Sequence, residues 1–233
     1  HAWSQVAARH QALYAEVRAR PAPAARAEAV PQVHLMLREH ASRTGGGDAV
    51  VAGTIVRGVD AARIAVACRE GGRVGRDADL VHLFNFCTYA ATHEHARRAV
   101  ELEIPYVVSA LYEDWPGFKL AAEAATQGHR DRLGLPRTVD LEAYARMHAG
   151  EQRDLLARCR PVAARARCVV ASGASEEARL RRDFPGIRTR TIATPARAGG
   201  AATGALADAF RARFGTRDFV LCVGRLEPRK NQL

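Results

Sequence analysis

Apolar positions along the chain come in two alternating patterns. Short unbroken runs have the length of buried strands: "VHLMLRE" (33–39), "ARIAVACR" (62–69), "ADLVHLFNF" (78–86), "PYVVSAL" (105–111), "ARCVVAS" (166–172), "IRTRTIA" (187–193) and "DFVLCVG" (218–224). Between them lie longer stretches in which apolar and charged residues are mixed at helical spacing. These are "DAVVAGTIVRG" (48–58), "ATHEHARRAVELE" (91–103), "SEEARLRRDF" (175–184) and "ALADAFRARF" (205–214), with a helical region from Lys119 to Arg165 interrupted near "LGLPRTVD" (133–140). A first helix, "WSQVAARHQALYAEVRAR" (3–20), precedes the first strand, and Pro21, Pro23 and Pro31 break the pattern after it. Continuous apolar strands separated by amphipathic helices predict parallel strands joined by crossover helices. The expected fold class is α/β, a Rossmann-like doubly wound parallel sheet.

Composition narrows the picture. The 233 residues are 48% hydrophobic and 26% charged, ordinary for a globular protein, and no apolar run has the ~18 residues of a membrane span. The chain opens on His1 without a signal-like apolar stretch. It is expected to be a piece of a longer chain, and cytoplasmic, with a peripheral role at the membrane also open. The net charge is +10, and all of the 35 basic residues except Lys119 and Lys230 are arginine. They are scattered, without a dense basic block or interleaved aromatics, so nucleic acid is disfavoured as a partner, while contact with an anionic membrane surface stays open. Cys68, Cys87, Cys159, Cys168 and Cys222 form no C-x-x-C pair and read as buried free thiols. His93 and His95 of "HEH" would point to different sides of a helix, so no metal site is expected there.

In a sheet of this class, ligands bind beyond the carboxyl ends of the strands. Three stretches qualify. In "TGGGD", Gly45, Gly46 and Gly47 follow the first strand and open a helix. Their missing Cβ atoms allow close approach, and their N–H groups with the helix N-terminus can face an anion. In "SALYEDWPGF" (109–118), Tyr112, Glu113 and Asp114 crowd a strand exit as candidate acceptor-binding groups; a helix cap with Trp115 packed at the sheet edge is the alternative. In "FVLCVGRLEPRKNQL" (219–233), Arg225 and Lys230 lie beyond a strand that exits at Gly224. Arginine can bind phosphate through two parallel hydrogen bonds, and lysine adds a point charge.

The last stretch, "VLCVGRLEPRKNQL", resembles the opening of the nucleotide-binding domain in retaining glycosyltransferases of the GT-B fold, the group that includes glycogen and sucrose synthases. "GGGDAVVAGTIVRGVDAARIAVA" is similar to their glycine loop, first helix and second strand. "DADLVHLFNF" is similar to a strand of their acceptor domain, and "ARCVVASGASEEARLRRDFP" to the strand and helix before the interdomain crossing. The resemblance covers about residues 32 to 233.

It implies an acceptor-side Rossmann-like domain with linker (31–215) and the first strand and loop of a nucleotide-sugar-binding domain (216–233); residues 1–30, read as an N-terminal helical extension and linker, have no counterpart in it. It implies transfer of a sugar from a nucleoside diphosphate sugar, with retained configuration, to a carbohydrate, small-molecule or lipid-linked acceptor. No cofactor or metal is implied; the nucleotide sugar is the co-substrate. Arg225 and Lys230 would hold the donor diphosphate, with Gly45, Gly46 and Gly47 near donor phosphate and acceptor. The catalytic residues stay unassigned. The chain departs from the pattern in two places: Tyr112, Glu113 and Asp114 stand where relatives often place a histidine, and "TIATPARAG" (191–199) stands where they have a P-N-G turn. A non-catalytic GT-B-like binding or scaffold module is the second reading. A nicotinamide-dependent oxidoreductase is a third, opposed by the absence of G-x-G-x-x-G.

Overall fold

The computed structural model describes residues 2–18, 30–86, 89–193 and 204–215. In chain order the elements are α1 (Ala2–Arg18), β1 (Gln32–Leu37), α2 (Ala41–Thr44), α3 (Gly47–Gly58), β2 (Ala65–Glu70), β3 (Leu80–Phe84) and α4 (Tyr89–Glu101). Then follow β4 (Tyr106–Ser109), α5 (Trp115–Arg132), α6 (Leu141–Arg165), β5 (Cys168–Ala171), α7 (Ala174–Asp183), β6 (Thr189–Thr191) and α8 (Gly204–Phe214). The chain divides into two units. The first comprises residues 1–114 and 150–195, and the second residues 115–149 and 196–233. The strand expected at 218–224, with Arg225 and Lys230, lies outside the described residues.

The first unit holds the whole sheet. Six parallel strands run in the order β2-β1-β3-β4-β5-β6, so the chain winds outward from β1 to β2 and then returns past β1 to build the rest. The expected doubly wound α/β fold is therefore the observed one. Alternation along each strand splits the core into two layers. Val33, Leu35 and Leu37 of β1, Leu80 and Phe84 of β3, Val107 of β4 and Cys168 and Val170 of β5 pack with α1 and α3. Met36, Val81, Leu83, Tyr106, Val108, Val169 and Ala171 pack on the other face with α4, α6 and α7. Each fully buried aliphatic or aromatic side chain contributes about 1.5–3 kcal/mol, so both layers are needed for a stable sheet.

Reversal of winding direction explains an otherwise odd feature. Right-handed crossovers place the helix leaving β1 on one face and α4, the later part of α6 and α7 on the other. This leaves the α3 side of β3, β4 and β5 without a crossover helix. α1 supplies the cover: Val6, Leu13, Tyr14 and Val17 join the same apolar layer as Val107, Cys168, Val170 and Ile192. Glu16 of α1 also forms ion pairs with Arg188 and with Arg190 of β6. The segment expected as an N-terminal extension thus contributes a structural layer.

In the second unit, α5 is closed by a turn in which the Gln127 amide donates to Glu123 and to Thr138 Oγ1, while Arg137 pairs with Asp131. Pro136 in this turn accounts for the interruption visible in the sequence. Of the cysteines, Cys159 and Cys168 are buried as expected, but Cys68 is exposed because β2 is an edge strand. Among the described residues no helix is long and apolar enough to cross a membrane.

Candidate functional site

The strand order reverses between β1 and β3, and the crevice beyond their carboxyl ends is where open α/β sheets bind ligands. The glycine run stands there. Leaving β1, the chain turns at His40 (φ 59°), forms the single turn α2, and passes through Gly45 (φ 66°) and Gly46 (φ 151°) into α3. Gly46 adopts an extended positive-φ conformation that is open to glycine alone. A Cβ there would also overlap Asp48 Oδ1. The N-cap residue Gly46 offers no side-chain cap to α3, whose positive dipole end opens toward the switch point.

Arg38 fixes the shape of this loop. From the first position after β1, its Nε donates to Asp48 Oδ2 at 3.1 Å, one terminal nitrogen donates to Thr44 Oγ1 at 2.6 Å, and the other to the Gly45 carbonyl at 2.6 Å. Asp48 is buried, and its second oxygen accepts the Ala49 N–H at 3.0 Å. The start of α2 is set from a neighbouring strand: Glu70, at the end of β2, accepts the Ser42 N–H and hydroxyl, both at 2.7 Å. These hydrogen bonds, hydroxyl first, hold the Glu70 carboxyl below its ordinary range.

The second expected group is brought beside the first. A Cβ on Gly47 would lie 3.9 Å from Leu111 Cδ1, so the glycine loop adjoins the exit of β4. Leu111 has a φ of 45°, a rare value for a residue with a side chain. Of the three residues expected to meet an acceptor there, Glu113 and Asp114 are exposed, but Tyr112 is buried and must be reassigned. Its ring packs edge-on against Phe86 and Phe184. Its hydroxyl donates to Asp183 Oδ2 at 2.9 Å and accepts from the Gln152 amide at 2.5 Å. Burial, followed by Asp183, pushes the phenol well above its usual range. An aromatic residue followed by two carboxylates buries the aromatic one, since it alone gains from leaving water.

Two further residues shape the site without having been singled out in the sequence. Arg38 was legible only as the end of an apolar run, although a charge at a strand's carboxyl end just before a glycine loop is itself a signal. Glu176, in the first turn of α7, accepts the Tyr112 N–H at 2.6 Å, the Ser172 N–H at 2.7 Å and the Ser172 hydroxyl at 2.5 Å. It fastens the exits of β4 and β5 together. Nothing in local sequence marks the bond to Tyr112, because the two residues are 64 positions apart. His95 of the "HEH" stretch is buried and donates from Nε2 to the Gly72 carbonyl at 3.1 Å, and among the described residues no three metal-ligating side chains converge.

A six-stranded parallel sheet wound on both faces, with a braced glycine loop at its switch point, defines the doubly wound α/β class. Comparison with protein-family models, curated proteins and solved structures finds no match to the chain.

Proposed function

We propose that the chain forms the acceptor-side part of a glycosyltransferase that moves a sugar from a nucleoside diphosphate sugar to an acceptor with retention of configuration. The observation that carries this reading is the Arg38-braced glycine loop opening into α3 through an N-cap without a side chain, next to the β4 exit with Glu113 and Asp114. An N-terminal helix turn of this kind suits a phosphate, and two exposed carboxylates suit the hydroxyls of a sugar. The similarity of "VLCVGRLEPRKNQL" to the donor-domain opening of GT-B enzymes adds the other half: Arg225 and Lys230 bind the donor diphosphate and offset the charge that grows on it as it leaves. In this role the two cations would replace a metal.

The test is steady-state transfer from a panel of nucleoside diphosphate sugars by the protein as its gene encodes it in full, with donor and acceptor varied separately. Arg225→Ala and Lys230→Ala should each lower kcat at least ~10-fold while changing acceptor KM little. Near-normal turnover in both removes the donor-phosphate assignment. A second reading, a GT-B-like binding module, is favoured by the absence of a histidine at the β4 exit. Tight nucleotide-sugar binding without turnover of any tested pair would select it.

A further inference from the structure

We infer that α1 is held on the sheet by a pH-gated latch, in which the stacked imidazoles of His10 and His82 must both be uncharged for the helix to stay docked. The geometry leaves no room for an added proton on either ring. His82, in the middle of β3, is fully buried, and both of its nitrogens are engaged: Nδ1 lies 2.5 Å from the Tyr14 hydroxyl of α1 and Nε2 lies 2.9 Å from the Ser109 hydroxyl of β4. A neutral imidazole donates from one nitrogen and accepts at the other. Once protonated it donates from both, so the hydroxyl that donated to the neutral ring must turn its proton elsewhere. Among the described residues the Tyr14 hydroxyl has no second acceptor. Its neighbours in the layer, such as Leu13 and Val17, are apolar.

His10 is in the same position. Its ring stacks on His82 with centroids 5.6 Å apart, and its Nδ1–H donates to the Val6 carbonyl at 2.9 Å. Its Nε2 is buried without a hydrogen-bond partner. A proton arriving there would have no acceptor and would face a second imidazole across apolar space. Among the described residues no carboxylate acts on either ring, and the one charge acting on His82 is that of His10. The titratable group against the pair is Tyr14 from α1, and the apolar layer around it holds the Cys168 thiol from β5; α3 adds Val51, Ala52 and Ile55 to that layer. The nearby ion pairs are Glu16 with Arg188 and Arg190, on the rim between α1 and β6, and Asp48 with Arg38 at the start of α3.

The direction of the pH effect follows. Burial holds His10 down at about 4 and His82 well below its ordinary value of 6.5. Release of α1 returns both rings to water and to that ordinary value, so the released state binds more protons. Docking is therefore at full strength above about pH 6.5 and weakens as pH falls below it, by up to ~10-fold per pH unit for each histidine and ~100-fold for the pair. The helix can leave while the sheet stays, because α1 is attached through side chains whereas β1 to β6 share backbone ladders.

Hydrogen–deuterium exchange read by mass spectrometry from pH 8 to pH 5, with labelling times scaled for intrinsic exchange, tests this. α1 peptides should lose protection by ~10- to 100-fold per pH unit below about pH 6.5, while β3, β4 and β5 keep theirs. His10→Phe keeps a stacked ring and removes one titration, so it should halve the logarithmic slope; Glu16→Gln should loosen α1 equally at every pH. Flat α1 protection in the unmodified chain, opening of α1 together with the strands, or an unchanged slope in a folded His10→Phe variant would each overturn the latch. If His10→Phe does not fold, the unmodified profile alone decides.

Discussion

Glu176 accepts the backbone N–H of Tyr112 at 2.6 Å from a helix that begins only after α5, α6 and β5. One carboxylate thus sets where the chain goes after β4, and the same carboxylate takes two donors from Ser172 after β5. The loop carrying Glu113 and Asp114 is positioned from below by a residue that is buried beneath it.

Glu176→Ala should therefore destabilise the fold by about 3 kcal/mol, since buried N–H groups would lose a charged acceptor. Glu176→Gln keeps one acceptor oxygen and should cost less than half as much. Urea denaturation of the three proteins checks the ranking. Equal stability of all three would mean that water replaces the carboxylate without cost.

The three glycines should respond differently to alanine. Gly46→Ala meets both a glycine-only backbone conformation and the Asp48 carboxylate, so a loss of at least ~2 kcal/mol is expected. Gly45→Ala has open space but a φ of 66°, and should cost ~1 kcal/mol. Gly47→Ala has neither problem, with Leu111 at ordinary contact distance, and should change stability by less than ~0.5 kcal/mol. Gly47→Ala is thus the variant that tests function without disturbing the fold. If a phosphate approaches the first turn of α3, the added methyl should weaken nucleotide-sugar binding several-fold in calorimetry.

Glu70 should show an acid-range signature. Its carboxyl is lowered first by the Ser42 hydroxyl and then by the Ser42 amide, with help from His40 and Arg38. Its contribution to the start of α2 is complete above the usual carboxylate range and is lost as pH falls through the lowered value. In Ser42→Ala the Glu70 titration, followed by carboxyl carbon NMR, should move up toward the ordinary range. An unmoved titration would assign the shift to the neighbouring cations.

Local sequence carried most of the sheet. β1, β3, β4 and β5 are buried on both faces, so they read as unbroken apolar runs, and their expected parallel pairing is the observed one. The glycine loop was legible because three adjacent glycines are a backbone statement. The one-turn helix α2 was hidden inside "SRTGGGD", since its start is fixed by Glu70 from another strand. The same reason conceals Glu176, Arg38 and the fate of Tyr112. Glu176 and Tyr112 are decided by partners distant in the chain, and Arg38 by partners across the α2 turn, whereas a run or a spacing reports only on neighbours. His82 shows the limit most plainly: within "LVHLF" it looks like an ordinary strand residue, and its Tyr14 partner is 68 residues earlier.

That the sheet's open face is covered by the helix preceding it has a consequence for the order of events at the ribosome. α1 is synthesised before the sheet, yet the surface it needs is complete only after Cys168, Val170 and Ile192 have been made. Until then α1 has only the part of its native surface that β1, α3 and β3 provide, and the side facing β4, β5 and Ile192 stays unmatched. Closure of that face is a long-range step joining the two ends of the unit, which places it late in folding and makes the waiting helix the segment for a chaperone to hold.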